Sequence, residues 1–307
     1  MTVSLERALA AKTEALAPDL DRPVFIGGSG RSGTGAVFHW LCAQPGYFPL
    51  VRGEAKFIIE CDGLIDLHRA LTADYNGTRA LTAYRRFKDL MLNRLLHADG
   101  WSNAGVGARM DLDLYAEAVR SFCDSVLART TPALHDPGIF IAKARTLLDR
   151  LALLSCDAPG ARMTEKTPHN LLHRRFLRAL YPRARFVHVV RDPRDVVRSI
   201  VHQPWGPATI PDACAWLAEY AAAFEREREA AALGPEGDIE VRIEDLTAGD
   251  RAAVERLAAF LEIDAATGRG PGDPGATPYA WRAHAEPDEI AVIEERLGGL
   301  IARYGYA

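Results

Sequence analysis

Cysteine is scarce and unpatterned in this 307-residue chain. Cys42, Cys61, Cys123, Cys156 and Cys214 are scattered, and no C-x-x-C pair occurs. A zinc ribbon or a dithiol redox site therefore has no support, and the odd count fits reduced thiols in a cytoplasmic setting. Long apolar runs are missing too. None reaches the roughly 18 residues of a membrane span. The opening stretch MTVSLERALAAKTEALAPDLDRP carries acids throughout and has no apolar h-region. It is not a signal peptide, and it is expected to form an amphipathic helix over residues 1–22. Excess positive charge is absent: 37 Lys and Arg face 41 Asp and Glu, for a net charge of −4. That excludes a generic nucleic-acid binder, so any anion site must be a local cluster of arginines. No internal repeat is present.

What the chain does have is an ordinary globular balance, with 48% hydrophobic and 25% charged residues. Its length suffices for one large α/β domain with a full core. The Ala- and Arg-rich composition suggests a GC-rich bacterial genome. Strands are expected at 23–27, near 161–165, at 185–190 and at 239–243. Helices are expected at 34–43, 169–180, 193–203, 212–231, 250–261 and 286–303. This alternation predicts an α/β fold, a P-loop-like parallel sheet wrapped by helices on both faces. Residues 23–307 form its domain, and the stretch from about 62 to 156 is a helical insert. FKDLMLNRLL and LDLYAEAVRSFCDSVL are the clearest helical windows there. The insert either completes the core or caps an acceptor site. Residues 265–278 are a Gly/Pro loop that cannot be regular structure.

The most informative segment is VFIGGSGRSGTG at 24–35, followed by AVFHWL. It has the form strand, glycine-rich loop, helix. Glycines let successive N–H groups turn inward, and the helix N-terminus adds the positive end of a dipole. Such a loop cradles a phosphate or a close mimic of one. Three readings compete. Gly28 to Gly33 has P-loop spacing, but Thr34 stands where the Walker lysine belongs, which counts against an ordinary ATPase or kinase. Gly28, Gly30 and Gly33 also satisfy G-x-G-x-x-G, with Glu54 about 20 residues on. Pro45 and Pro49, however, suit a central strand before Glu54 poorly. The third reading takes Arg31-Ser32-Gly33-Thr34 as the core, with Arg31 as cation and the Thr34 hydroxyl as a further donor.

Residues 184–199, ARFVHVVRDPRDVVRS, favour the third reading. FVHVV is a buried parallel strand by pattern. Arg191 stands at its end, Asp192 is placed as an N-cap and Pro193 as the first helical residue. Ser199 lies two turns into that helix, on a side that can face a bound anion. The alternative for Arg191 is an ordinary strand-end arginine.

Together these segments resemble the sulfotransferases that use 3′-phosphoadenosine 5′-phosphosulfate (PAPS). RSGT is similar to the family's 5′-phosphosulfate loop, and Arg191 with Ser199 to its 3′-phosphate pair. Thr164-Glu165-Lys166-Thr167-Pro168 resembles the family's EKTP segment. Val241 to Leu246 resembles its late strand and EDL turn, and Trp281-Arg282 with the residues after it resembles its C-terminal helix. Arg31, where many cytosolic members carry Lys, and the GEAKF segment resemble the tyrosylprotein and heparan sulfate branch.

The resemblance implies sulfuryl transfer from PAPS to a hydroxyl or amine of a small-molecule, glycan or lipid acceptor, with no metal. It implies donor binding by Gly28, Gly30, Arg31, Ser32, Gly33, Thr34, Arg191 and Ser199. It places Lys166 and Arg31 near the transferring group and gives Glu54 the role of general base. Other readings of these residues stay open. Lys166 can pair with Glu165, Thr167 can cap the helix at Pro168, and Lys56 or Arg52 can hold Glu54 as an ion pair. His169 is the rival base, ahead of His39 and His202. Trp205, in QPWGPATIP, either lines the acceptor pocket or plugs the core. A P-loop-type kinase using Arg31, or a nucleotide-binding module without catalysis, are the rival functions.

Overall fold

Val24, Phe25 and Ile26 have no exposed surface, as a strand covered on both faces requires. They belong to β1, Asp19–Gly27. The other strands are β2 (Tyr47–Pro49), β3 (Arg162–Lys166), β4 (Arg185–Val190) and β5 (Asp238–Arg242). In this computed structural model they form one five-stranded parallel sheet in the order β2-β3-β1-β4-β5. Tyr47 lies opposite Arg162 and Pro49 opposite Thr164. Phe186 lies opposite Asp238 and Val190 opposite Arg242. The structure describes residues 4–73, 75–96, 105–127, 136–264, 271 and 279–306.

The chain forms two compact units. The first holds Met1–Phe25, Pro45–Thr167 and Phe176–Ala184; the second holds Ile26–Gln44, Pro168–Arg175 and Arg185–Ala307. In the first, the helices are α1 (Leu5–Leu16), α3 (Leu64–His68), α4 (Gly77–Asp89), α5 (Leu112–Leu127), α6 (Pro137–Ser155) and α7 (Arg174–Leu180, shared with the second); α2 (Thr34–Cys42) belongs to the second. Phe122 organises part of this unit's core. Its ring meets Phe87 at 5.5 Å and Phe140 at 6.2 Å, both edge-on, the favoured arrangement for aromatic pairs. Asn76 and Asp136 cap α4 and α6 by accepting two backbone N–H bonds each.

The second unit contains α2 (Thr34–Cys42), α8 (Pro193–Ile200), α9 (Ile210–Ala231), α10 (Ile243–Ala248), α11 (Arg251–Leu261), α12 (Trp281–His284) and α13 (Pro287–Arg303). Val196, Val197 and Ile200 of α8 pack with Ala213, Cys214 and Leu217 of α9 and with Ile293, Leu297 and Ile301 of α13. This apolar contact fixes α8, and with it the residues at the end of β4.

Several boundaries differ from expectation. The N-terminal helix covers Leu5–Leu16 only, and Asp19 to Arg22 join β1. The strand β2 was not expected. Pro45 just before it and Pro49 within it speak against a central strand, and β2 is an edge strand with Pro49 as its last residue. The expected helix 169–180 divides into a 3₁₀ turn, Pro168–His173, followed by α7. The helix after Asp192 stops at Ile200 rather than 203. The Gly/Pro loop expected at 265–278 lies, apart from residue 271, outside the described residues.

Candidate active site

The glycine loop of the second unit owes its shape to close backbone approaches. A Cβ on Gly28 would stand 2.4 Å from both the Ser32 hydroxyl and the Val189 carbonyl. Gly33 has φ +90°, and a Cβ there would meet Ile243 at 2.6 Å. No other residue fits either position. The Gly28 N–H donates to the Pro168 carbonyl at 3.0 Å, and the Ser32 N–H to the Ser29 carbonyl at 3.2 Å. Arg31 adopts φ +71°, a left-handed conformation that is costly for a residue with a side chain. Gly33 is the N-cap of α2 and supplies no side-chain cap. The first turn of that helix is thus open to an anion. Ser32 is fully buried, and its hydroxyl has no hydrogen-bond partner. An orphaned buried donor beside a glycine cradle is what a bound phosphate oxygen would satisfy.

Arg191, just past β4, closes this cradle from the other segment. Its Nη1 donates to the Arg31 carbonyl at 3.2 Å. The Arg31 Nε in turn donates to Ser199 Oγ at 3.0 Å. Three residues named from sequence therefore meet, although Arg31 and Ser199 are 168 positions apart. Asp192 does cap α8: it accepts the Arg194 N–H, and Pro193 opens the helix. His169 stands in the 3₁₀ turn whose first carbonyl holds Gly28, and its ring lies 6.1 Å from Tyr220.

Trp205 is 63% exposed, so it does not plug the core. The edge of its indole lies 3.3 Å from the Cβ position of Gly30. Gly206 makes that possible, because a Cβ there would overlap the Ile200 carbonyl at 2.1 Å.

In the first unit, Glu54 and Lys166 form a second cluster. Lys166 Nζ donates to Glu54 Oε1 at 2.8 Å, with side-chain exposures of 15% and 17%. Lys56 Nζ approaches Oε2 at 3.5 Å. Glu165, the alternative partner for Lys166, is 1% exposed and does something else. Its Oε1 accepts the Ala55 N–H at 2.9 Å and the Thr167 hydroxyl at 2.7 Å. The Thr167 hydroxyl thus braces Glu165 rather than capping a helix. The same carboxylate holds the backbone right after Glu54.

The model of the sulfotransferase family matches residues 23–267. This chain belongs to the sulfotransferase family. No curated protein matches it in sequence. Among solved structures, the sulfotransferase domain of the Synechococcus PCC 7002 olefin synthase is 18% identical; the likeness covers 91% of this chain and 96% of that one, with a TM-score of 0.48. Sulfotransferase STF9 from Mycobacterium avium is 15% identical over 99% of this chain and 82% of that one, TM-score 0.48. A sulfotransferase from Alicyclobacillus acidocaldarius is 14% identical over 93% and 97%, TM-score 0.45. The sulfotransferase match stops before Trp281, so the C-terminal island of the resemblance lies beyond it.

Some residues around these sulfotransferase segments were not singled out from sequence. Asp195 pairs with Arg191, Nη2 to Oδ2, at 3.4 Å. Glu244 accepts the Asp192 N–H at 3.0 Å and the Tyr306 hydroxyl. Burial pushes the carboxyls of Asp195 and Glu244 above their usual range, against the pull of Arg191 on the first and of the Asp192 N–H on the second. No local signal marked either acid: Asp195 stands in RDPRDVVRS and Glu244 in VRIEDL, each among other charged residues.

Proposed function

We propose that the protein transfers a sulfuryl group from PAPS to a hydroxyl or amine of a small-molecule, glycan or lipid acceptor. The observation that carries this reading is the meeting of Arg31, Arg191 and Ser199 around the glycine loop. Two anion-binding elements joined in this way suit a ligand with two separate phosphate groups. In this reading the 5′-phosphosulfate lies on Gly28, Gly30 and Arg31 to Thr34. The 3′-phosphate is taken by Arg191, whose planar fork makes paired charge-assisted bonds, and by Ser199.

The transfer itself is loose and in line, by analogy with phosphoryl transfer, and charge builds on the leaving and equatorial oxygens. Arg31 and Lys166 offset that charge. Glu54 takes the acceptor proton, which requires Lys166 to leave Glu54 Oε1 for the sulfuryl group. His169 is the rival base. The RSGT loop and GEAKF segment favour the tyrosylprotein and heparan sulfate branch of the family. The helices between residues 62 and 156 then select the acceptor.

Thermal denaturation tests the donor. Adenosine 3′,5′-bisphosphate should raise the melting temperature far more than ATP. A ligand that binds only the folded state stabilises it by about 2.7 kcal/mol at 100-fold excess over Kd. An equal shift with ATP and Mg²⁺ would favour the kinase reading, and no shift with either a protein without a nucleotide site.

A further inference from the structure

Arg191 does not hold its own place. It stands at a strand end with a long flexible side chain, and such arginines lose much rotamer freedom when fixed. One of its nitrogens is committed to the Arg31 carbonyl. Another faces Asp195 Oδ2 at 3.4 Å, where the Asp195 side chain is 3% exposed and that of Arg191 19%. The Asp195 Oδ2 atom is buried and has no hydrogen-bond partner, so its contact with Arg191 is the ion pair alone. The second oxygen, Oδ1, accepts the backbone N–H of Trp281 at 2.9 Å. The carboxylate is thus oriented from one side by α12 and aimed from the other at Arg191.

Neighbouring charges leave Asp195 this task. Asp192 is fully buried and engaged by Arg194 through Nε and Nη2, both at 2.9 Å, and by the Trp281 indole N–H at 3.0 Å. Arg194 is shared with Glu294 and the Tyr306 carbonyl. Glu244 is occupied by the Asp192 N–H and Tyr306. Around Arg191, the carboxylate set against its guanidinium is Asp195.

We propose that Asp195 is a positioning residue: together with the Trp281 backbone N–H, it fixes the Arg191 guanidinium in the orientation that receives a phosphate ester. The inference rests on the donor reading above. Physical chemistry gives two opposite expectations for removing this carboxylate. As a bystander it merely weakens the positive field, and neutralising it should tighten anion binding. As a positioning residue it keeps the fork ordered before the ligand arrives, and neutralising it should weaken binding because the ordering cost then falls on the binding step.

Asp195→Asn decides between them, since it keeps the acceptor for the Trp281 N–H and removes the charge. Titration calorimetry with adenosine 3′,5′-bisphosphate and with adenosine 5′-phosphosulfate, which lacks the 3′-phosphate, is the experiment. The bisphosphate should bind more weakly by about ten- to a hundredfold, by analogy with the loss when a group that orients a metal ligand is removed. The phosphosulfate should change less than about twofold. In an Arg191→Ala background, Asp195→Asn should have no further effect, because both substitutions act through one guanidinium. Tighter or unchanged bisphosphate binding, equal loss for both ligands, or full additivity with Arg191→Ala would each overturn the proposal. Asp195→Ser, whose hydroxyl also accepts the Trp281 N–H, gives the same readout if the Asn protein does not fold. Failure of the unaltered protein to bind the bisphosphate would instead overturn the donor reading, and the positioning role with it.

Discussion

The glycine loop and the Glu54–Lys166 cluster hold charge in opposite ways. In the loop, backbone geometry does the work. Gly28 and Gly33 are squeezed by the Val189 carbonyl, Ser32 and Ile243, and the one arginine inside the loop is tied to a serine at 3.0 Å. The other cluster is built by side chains alone, one carboxylate between two ammonium groups at 2.8 and 3.5 Å. A loop of the first kind presents a fixed surface to a ligand. An ion pair of the second kind must open before either partner can act on anything else. If the loop holds the donor and the cluster carries the chemistry, as proposed, substitutions should separate binding from turnover.

The largest expected effect lies in the second cluster. Glu54→Gln keeps shape and an acceptor oxygen but not basicity. Turnover should fall by roughly 10²–10⁴-fold, the usual worth of a general base, while calorimetric affinity for adenosine 3′,5′-bisphosphate stays unchanged. His169→Ala should reduce turnover less. Normal turnover in Glu54→Gln with an inactive, folded His169→Ala protein would move the base to His169 and leave the loop's role untouched. Slow PAPS hydrolysis serves as the assay until an acceptor is identified.

Next in size is the cation of the first cluster. Arg191→Ala should weaken the bisphosphate by about 2–5 kcal/mol, the range for truncating one partner of a desolvated charge pair. Adenosine 5′-phosphosulfate should be nearly unaffected. Equal losses for the two ligands would mean that Arg191 does not read the 3′-phosphate.

The same contrast explains what was legible in the sequence. Glycines, an N-cap Asp-Pro and a β-branched run impose local conformation, so the loop, β4 and the start of α8 fall where the pattern places them. Arg31, Arg191 and Ser199 could be matched because each sits on such an element. Side-chain pairing has no local signature. Lys166 has Glu165 as its chain neighbour, yet its ammonium pairs with Glu54, 112 positions away. Thr167 carries the hydroxyl of a cap and uses it on Glu165. The strand β2 escaped notice for another reason. It has three residues and ends in proline, and an edge strand tolerates what a central one does not. Asp195 and Glu244 were missed because the partners that engage them, Trp281 of α12 and the C-terminal Tyr306, stand far along the chain.

Two glycines sharpen the claim that backbone builds the loop. Gly33→Ala forces a side chain into φ +90° and against Ile243 at 2.6 Å. Chemical denaturation of the free protein should show a loss of about 2–4 kcal/mol, combining overpacking and the cost of a left-handed residue. Gly35→Ala, two residues on in α2, meets nothing within 4 Å. It should be neutral or stabilise by about 0.5–1 kcal/mol through helix propensity. Equal losses at the two positions would mean that the loop's shape is not what Gly33 provides.

The smallest effect tests whether the two lysines on Glu54 are equivalent. Lys166 is 15% exposed and bonded at 2.8 Å; Lys56 is 33% exposed and stands at 3.5 Å. Removing Lys166 as Lys166→Met strands the Glu54 oxygen it covers, at a cost of about 1–3 kcal/mol for an unsatisfied, largely buried acceptor. Lys56→Met removes a looser, wetter contact and should cost about 0–1 kcal/mol, in the range of exposed pairs. Salt distinguishes them further. Raising ionic strength to about 1 M shortens the Debye length to about 3 Å. The Lys56→Met difference should then vanish, whereas most of the Lys166→Met difference should persist, because it comes from desolvation rather than long-range attraction. Denaturant titrations of both variants at low and high salt give the comparison directly. If Lys56→Met costs as much as Lys166→Met and resists salt, Glu54 is clamped from both sides. A carboxylate clamped in that way is a structural ion pair, and the assignment of the base would pass to His169 even before turnover is measured.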